Sequence, residues 1–296
     1  MRRSAGHQVN SLEFVVSVRV QSKNLGQERE SAAFLHTYPA SHTDFLNIDK
    51  HVSKADVKMS STSLPTRTLA GIAVPDTPLI TAAIALIRQY LSDMAYNHSM
   101  RSWLFGFAIA DKLPHLQDRD RELHALAAIL HDLGWDPTGT FISPDKRFEI
   151  DGANAARTFI EQEVVRRSSG GGGGVQQDWD KHRLQLLWDA IALHTTPSIA
   201  VHKEMEVGAT GFGIGAEFRG RGIIPNTMTQ QEWDAIVAEF PRQGFRDGVK
   251  AIMCGLCKTK PETTYDNFVG DFGDKFVEGY STKGHRPSEM ILATVD

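Results

Sequence analysis

The apolar positions of the chain recur at helical spacing from about residue 76 onward. Within residues 79–94, Ile80 and Ile87 fall on one face, as in an amphipathic helix. Asp76-Thr77-Pro78 offers a capping residue followed by proline in the first helical turn, so we expect ordered structure to begin there. The same spacing predicts seven further helices, at residues 97–111, 121–131, 149–166, 179–194, 208–218, 231–240 and 245–257. Strand signals are nearly absent, and the predicted fold class is all-α, a helical bundle.

Two segments lack this pattern. Residues 1–64 are rich in serine, threonine, glutamine, asparagine and histidine, and we predict a poorly ordered extension with at most a short strand at 13–20. Met59 is a candidate for the natural start of translation. Residues 170–174 are five consecutive glycines, which predict a flexible loop between two helices. The predicted organisation is an extension, 1–64, followed by one helical domain, 65–296.

Composition narrows the class of protein further. The 296 residues are 41% apolar and 23% charged, which is typical of a globular protein. A net charge of −4 gives no reason to expect nucleic acid or an anionic membrane as a partner. The chain contains neither an apolar run of about 18 residues nor a signal-peptide core. We therefore expect a cytoplasmic enzyme with a small-molecule substrate, and a homo-oligomer is compatible with this interpretation.

The two cysteines, Cys254 and Cys257, form a lone C-x-x-C in a segment with helical spacing. A four-cysteine zinc site is excluded within one chain, and a thioredoxin-like motif would follow a strand. Two packed thiols are the favoured interpretation.

A histidine and an aspartate, His131 and Asp132, stand side by side where an apolar helical stretch runs into Gly134. In the last turn of a helix both side chains can lean toward one point, if the glycine lets the chain turn away. An imidazole and a carboxylate that meet in this way suit a divalent metal ion.

Two further residues could complete such a site. His98 precedes the pair by 33 residues, and two helices joined by a loop can place it beside the end of the second helix. The fourth ligand should be an acid from a later helix, and Glu217 is the candidate. His124 shares a helix face with His131 but would lie about 10 Å away along the axis, too far for the same metal ion. His202 is a weaker candidate for a second metal ion together with His194.

The chain resembles the HD-domain metal-dependent hydrolases. The resemblance covers residues 75–275 and is strongest in Asn97-His98-Ser99-Met100-Arg101, in Ile129-Leu130-His131-Asp132-Leu133 and in Ala192-Leu193-His194. Within the superfamily it is most similar to the cyanamide hydratase-like branch, through Arg147-Phe148-Glu149 with Gly152 and through Glu239-Phe240-Pro241-Arg242. The resemblance implies a helical bundle with one divalent metal ion, usually Zn²⁺ in this branch, although Fe²⁺ or Mn²⁺ would also fit.

Residue by residue, the resemblance implies that His98, His131 and Asp132 are ligands. The late aspartate of the family falls on Glu217, a departure, because glutamate is one methylene longer. After Lys260-Pro261 the chain also departs from the segment expected of a cyanamide hydratase.

The implied chemistry is the addition of water to a small nitrile-like molecule, such as cyanamide to urea, through a metal-bound hydroxide. Zinc with an open coordination position lowers the pKa of bound water to about 7. Glu149 and His194 are the candidates for proton transfer, and Asn97 is a candidate for substrate binding. Glu149 could instead be an acid that stabilises the start of a helix, and His194 could simply close one.

Three alternatives remain open. The first is an HD-type phosphohydrolase acting on a nucleotide or phosphodiester, for which the nearby cations are Arg101, Lys112, Lys146 and Arg147. The second uses the same scaffold to bind two iron ions for oxygenase chemistry. The third is a non-enzymatic helical binding protein with a relict metal site.

Overall fold

Helices form almost all of the regular structure in the computed structural model, which describes residues 64–169 and 179–294. The predicted extension therefore lies outside the described residues, except for residue 64, as does the glycine run. The helices of the described ranges are α1 (Pro78–Tyr90), α2 (Asp93–Ala110), α3 (Arg121–Leu130), α4 (Phe148–Ser169), α5 (Lys181–Ala192), α6 (Pro197–Ala200), α7 (Met205–Arg219), α8 (Gln230–Glu239), α9 (Phe245–Thr259), α10 (Val269–Phe276) and α11 (Pro287–Leu292). The prediction of an all-α fold is confirmed, and every predicted helix is present with ends that differ by at most four residues.

One small β-hairpin precedes the helices. Strands β1 (Thr66–Leu69) and β2 (Ile72–Pro75) pair antiparallel, with Thr66 opposite Pro75. Ala70 and Gly71 connect them with φ values of 47° and 82°, as in the tight turns that match the twist of paired strands. The prediction that ordered structure begins near residue 76 was therefore wrong. Strands of four residues are too short to show an alternation of apolar and polar side chains. The turn was not predicted because its first residue is alanine, which rarely adopts a positive φ.

The boundary between α1 and α2 also differs from the prediction. Residues 79–94 were predicted as one helix, but α1 ends at Tyr90, and Leu91 and Ser92 are extended. The Ser92 hydroxyl accepts a hydrogen bond from the Ala95 amide and caps α2. His98 consequently lies in the second turn of α2, where it is 1% exposed.

The core surrounds α2, which is buried from His98 to Ala110. Its closest neighbour is α7, and α3, α8 and α9 pack on its other sides. A side chain at Gly213 of α7 would overlap the backbone carbonyl of Ser102, so glycine permits this close approach. Helix α3 is buried along almost its whole length and contacts α1, α2, α5 and α7. The end of α3 is thereby buried among the other helices.

Two smaller points concern the thiols and membranes. Cys254 and Cys257 are free and lie on α9, and the Cys257 Sγ donates to the Val269 carbonyl oxygen at 3.3 Å. Both lie on a helix, as predicted; Cys257 is packed in the core, whereas Cys254 is half-buried. Among the helices of the described ranges, none has the length and apolar character needed to cross a membrane.

Candidate metal centre

The His131-Asp132 pair lies where α3 ends. His131 still has helical dihedral angles, whereas Asp132 leaves the helix with φ −104° and ψ 23°. A 3₁₀ turn, Leu133–Trp135, follows, and the Trp135 amide donates to the Asp132 carbonyl at 2.8 Å. Both side chains are fully buried. His131 and Asp132 therefore lie at the end of a helix, as predicted.

Gly134 acts differently from the prediction. Its φ is not positive, so the chain does not turn away through a left-handed residue. Instead the absent side chain allows α4 to approach, because a Cβ at Gly134 would overlap the Phe148 carbonyl oxygen. Gly152 of α4 faces the same turn, and a Cβ there would lie 2.9 Å from the His131 carbonyl oxygen. The two glycines set the position of the histidine–aspartate turn against α4.

We expect Gly134→Ala to lower the free energy of unfolding by about 1–3 kcal/mol, since overpacking of a buried contact costs this much. Gly255→Ala is the matched control. Gly255 lies within α9 with no atom near the position of an added Cβ, so alanine should stabilise by about 0.5–1 kcal/mol. Denaturant unfolding of both variants measures the difference. Equal stability of the two variants would contradict the role assigned to Gly134.

Three donor atoms converge at this point. The Nε2 atoms of His98 and His131 lie 3.2 Å apart. The Asp132 Oδ2 atom lies 3.3 Å from the first and 3.0 Å from the second. Each side chain is at most 1% exposed. Helix α2 supplies one donor, and the end of α3 supplies two.

This geometry fits a divalent cation. Neighbouring donors about 2.0–2.1 Å from one cation lie about 2.8–3.4 Å apart in octahedral or tetrahedral arrangements. Both Asp132 carboxylate oxygens are buried without a hydrogen bond to the described residues, although three imidazoles lie within ion-pair distance. An unpaired buried carboxylate is costly, and a shared cation would offset that cost. His98, His131 and Asp132 could therefore hold a divalent metal ion.

The hydrogen bonds of His131 fix its tautomer for this task. Its Nδ1 lies 2.9 Å from the Ala128 carbonyl oxygen, which can only accept, so Nδ1 carries the proton and the Nε2 lone pair faces the other donors. Asp132 is an anion: burial raises its pKa, but the two imidazoles, when they are protonated, outweigh burial and hold the pKa below its usual range. For His98 burial lowers the pKa, and the carboxylates of Asp132 and Glu217 reverse this to a net increase.

His194 lies beside the three donors, just after α5. Its Nε2 is 3.7 Å from Asp132 Oδ1, and its ring centre is 4.9 Å from that of His131. The Nδ1 atom donates to the Ile191 carbonyl at 2.6 Å, which leaves the Nε2 lone pair available. Burial, together with the neighbouring His131, lowers the pKa of His194 to about 4. His194 is therefore a neutral imidazole in contact with the site.

Glu149 lies in the first turn of α4 and is 1% exposed. Its carboxylate accepts hydrogen bonds from the Thr195 hydroxyl at 2.5 Å and from the Arg147 guanidinium at 2.7 Å. Thr195 follows His194 directly in the chain. Glu149 thus joins α4 to the segment that carries His194. Its negative charge raises the pKa of His194, but burial outweighs this effect.

The structure does not bring Glu217, the fourth predicted ligand, into the group of converging donors. Its Oε1 lies 3.8 Å from the Nδ1 atom of His98, whereas the other donors face the Nε2 atom. Both carboxylate oxygens accept hydrogen bonds at 3.0 Å from Arg101, one turn after His98 on α2. A carboxylate bound by a buried guanidinium is committed to that ion pair. We therefore revise its role: Glu217 is not among the converging ligands, and it lies next to the Nδ1 atom of His98, whereas the other donors lie next to Nε2.

The remaining predicted residues can also be located. Asn97 is half-buried on α2, next to His98, and its side-chain amide forms no hydrogen bond to the described residues. His124 lies outside the group, as predicted: it stacks on Phe107 and its Nδ1 accepts from Arg119. His202 is exposed and also outside it.

Four aromatic residues surround the donors, and the sequence analysis assigned them no role. We call Trp135, Phe148, Phe218 and Phe245 the aromatic wall. Their ring centres lie 5.0–5.7 Å from that of His98, except Phe148, which lies 5.7 Å from His194. Phe218 is 57% exposed and the other three are buried. The only sequence signal was proximity to the motifs, since Trp135 follows Asp132 and Phe218 follows Glu217.

Comparison with known proteins agrees with this geometry. Residues 95–238, from the first turns of α2 to the end of α8, match the family model for the HD domain. A search of curated proteins finds no match to the chain. The matched region contains His98, His131 and Asp132, the three residues whose donor atoms converge. This region is therefore similar to the HD domain, and the group of buried donors lies within it.

Proposed function

We propose that this protein is a metal-dependent hydratase or hydrolase that adds water to a small, uncharged, nitrile-like molecule. Cyanamide, which would give urea, or a related compound is the proposed substrate, and Zn²⁺ is the proposed metal ion. The observation that carries the proposal is a buried group of three convergent donors, enclosed by aromatic rings.

The surroundings of the donors favour a neutral substrate. Small-molecule sites are mostly apolar, with few polar groups that fix orientation. The aromatic wall meets this description, because Trp135 stacks on His98 and the Phe245 ring lies 5.0 Å from it.

The charges near the site argue against a phosphate ester. A phosphate substrate needs arginine or lysine groups that are free to bind its oxygens. Each of the four cations named for that alternative has a carboxylate partner instead: Arg101 with Glu217, Lys112 with Glu232, Lys146 with Asp145 and Arg147 with Glu149.

We assign His98, His131 and Asp132 to metal binding. Two neutral imidazoles and one carboxylate would leave a divalent cation with one positive charge. A bound cation of this kind lowers the pKa of coordinated water and polarises an electrophilic substrate. The burial of the ligands keeps bulk water from screening that charge.

We assign proton transfer to His194, with Glu149 as its support. Addition of water to a nitrile places oxygen on carbon and delivers both water protons to nitrogen, so a nearby group must accept and return a proton. The Nε2 lone pair of His194 is free for this purpose, since Nδ1 donates to the Ile191 carbonyl. The negative charge of Glu149 would stabilise the transient imidazolium. Asn97 could orient the polar end of the substrate.

An activity screen with metal analysis tests the proposal. Purified protein should hold about one zinc ion per chain and should convert cyanamide or another small nitrile to its amide. His194→Gln should keep the metal ion and lose about 100-fold or more in kcat, as expected for a proton-transfer group.

A nucleotide and phosphodiester panel runs in parallel. Phosphate release without nitrile turnover would replace the proposal by the phosphohydrolase alternative. Two iron ions per chain with oxygen consumption would indicate oxygenase chemistry. Metal binding without any turnover would favour a binding protein.

A further inference from the structure

Trp135 carries a polar group that the roles above do not use. Its indole Nε1–H is buried and has no hydrogen-bond partner among the described residues. The residue as a whole is 7% exposed. A buried donor without a partner costs about 1–3 kcal/mol, so such a group is uncommon unless it serves a purpose.

The position of this indole is closely fixed. The Trp135 ring stacks on His98 with 5.6 Å between ring centres and 16° between planes. Its backbone amide donates to the Asp132 carbonyl, and its ring also contacts Phe148 at 5.9 Å. Trp135 is therefore attached by contacts to two of the three converging residues, and its ring has little freedom to seek another partner.

We propose that Trp135 is a substrate-binding residue, and that its indole N–H donates a hydrogen bond to an acceptor atom of the substrate. This inference rests on the proposed function and narrows its substrate class. The substrate would combine a small apolar or linear body, which fits between aromatic rings, with a hydrogen-bond acceptor atom. A nitrile nitrogen or a carbonyl oxygen has that chemistry, and a hydrocarbon does not.

A second tryptophan provides a matched control. The Trp103 indole N–H is likewise buried and unpartnered among the described residues. Trp103 lies in the hydrophobic core on α2, against Phe107, and has no ring contact with the donor group. Replacement of either tryptophan by phenylalanine removes an indole N–H, but only one of them adjoins the site.

The experiment uses azide as the probe, because it is a linear three-atom ion with acceptor nitrogens. The wild-type protein, Trp135→Phe and Trp103→Phe are loaded with Co²⁺, and azide is titrated while the visible absorption of the cobalt ion is recorded. We expect about one cobalt ion in each protein, and an azide Kd that rises about tenfold in Trp135→Phe alone, as for the loss of one hydrogen bond.

The outcomes are distinguishable. Equal azide affinity in the three cobalt-loaded proteins would overturn the role of Trp135 and leave the proposed function standing. Loss of cobalt from Trp135→Phe, or an equal effect of Trp103→Phe, would show that the indole acts through the packing of the bundle, and would also overturn that role. Failure of the wild-type protein to bind cobalt would overturn the proposed function and this assignment with it.

Discussion

Asp132→Asn is expected to remove tight metal binding and to lower turnover of the proposed substrate by well over 100-fold. Changes to groups that merely support a ligand already cost about 10–100-fold in metal affinity or activity, and Asp132 is the single anion among the three converging residues. Asparagine has nearly the same shape, but it offers a neutral oxygen and adds an N–H₂ donor. The N–H₂ group could then donate hydrogen bonds to the imidazoles 3.0 and 3.3 Å away, and it would occupy the lone pairs that a cation needs.

Metal analysis and thermal unfolding measure this effect independently of the substrate. A ligand that binds only the folded state raises its stability, so a chelator should lower the Tm of the wild-type protein and leave that of Asp132→Asn unchanged. Asp136→Asn is the matched control. Asp136 is 4% exposed and accepts hydrogen bonds from Thr138 and Phe141, outside the donor group. Its replacement should keep the full metal content, and full metal content in Asp132→Asn would contradict the assignment.

The helices and the core of the site could be predicted from sequence because both depend on local spacing. Apolar residues at intervals of three and four residues located the helices. Two adjacent donors at a helix end can reach a common centre when the second of them leaves the helix, as Asp132 does. The pairing of His98 with His131 needed just one further assumption, that their helices pack side by side. The structure places their Nε2 atoms 3.2 Å apart.

Other features depend on contacts that spacing does not reveal. Whether Glu217 binds a metal ion or an arginine depends on which side chains pack next to its carboxylate in the folded protein. Arg101 lies 116 residues away along the chain, and only the packing of α2 against α7 brings the two together. The break after Tyr90 was missed for a different reason, since apolar periodicity continues across it and only the cap at Ser92 marks it. The role of Gly134 likewise required the position of α4.

Arg101→Met should be among the most destabilising single substitutions in this domain, at about 3–5 kcal/mol, because it leaves the buried Glu217 carboxylate without its closest counter-charge. Both side chains are 0% exposed. The guanidinium also donates to the Phe240 and Pro241 carbonyls, at 2.9 and 2.7 Å, so the segment after α8 would lose two hydrogen bonds to α2. Denaturant unfolding measures the loss. Lys112→Met is the control, since the pair of Lys112 with Glu232 is partly exposed and should contribute about 0–1 kcal/mol.

Replacing both partners separates the ion pair from the metal site. The double variant Arg101→Met with Glu217→Met removes the uncompensated charge, so we expect it to recover most of the stability that Arg101→Met loses. Glu217 Oε1 nevertheless lies 3.8 Å from His98 Nδ1, and its negative charge raises the pKa of that imidazole. Without the carboxylate, His98 becomes a weaker and less firmly oriented ligand, and metal affinity should fall about 10–100-fold in a protein that still folds. Unchanged metal affinity in the double variant would show that Glu217 serves only as the counter-ion of Arg101. A double variant as unstable as Arg101→Met alone would show instead that the carbonyls of Phe240 and Pro241, and not the paired charge, require the arginine.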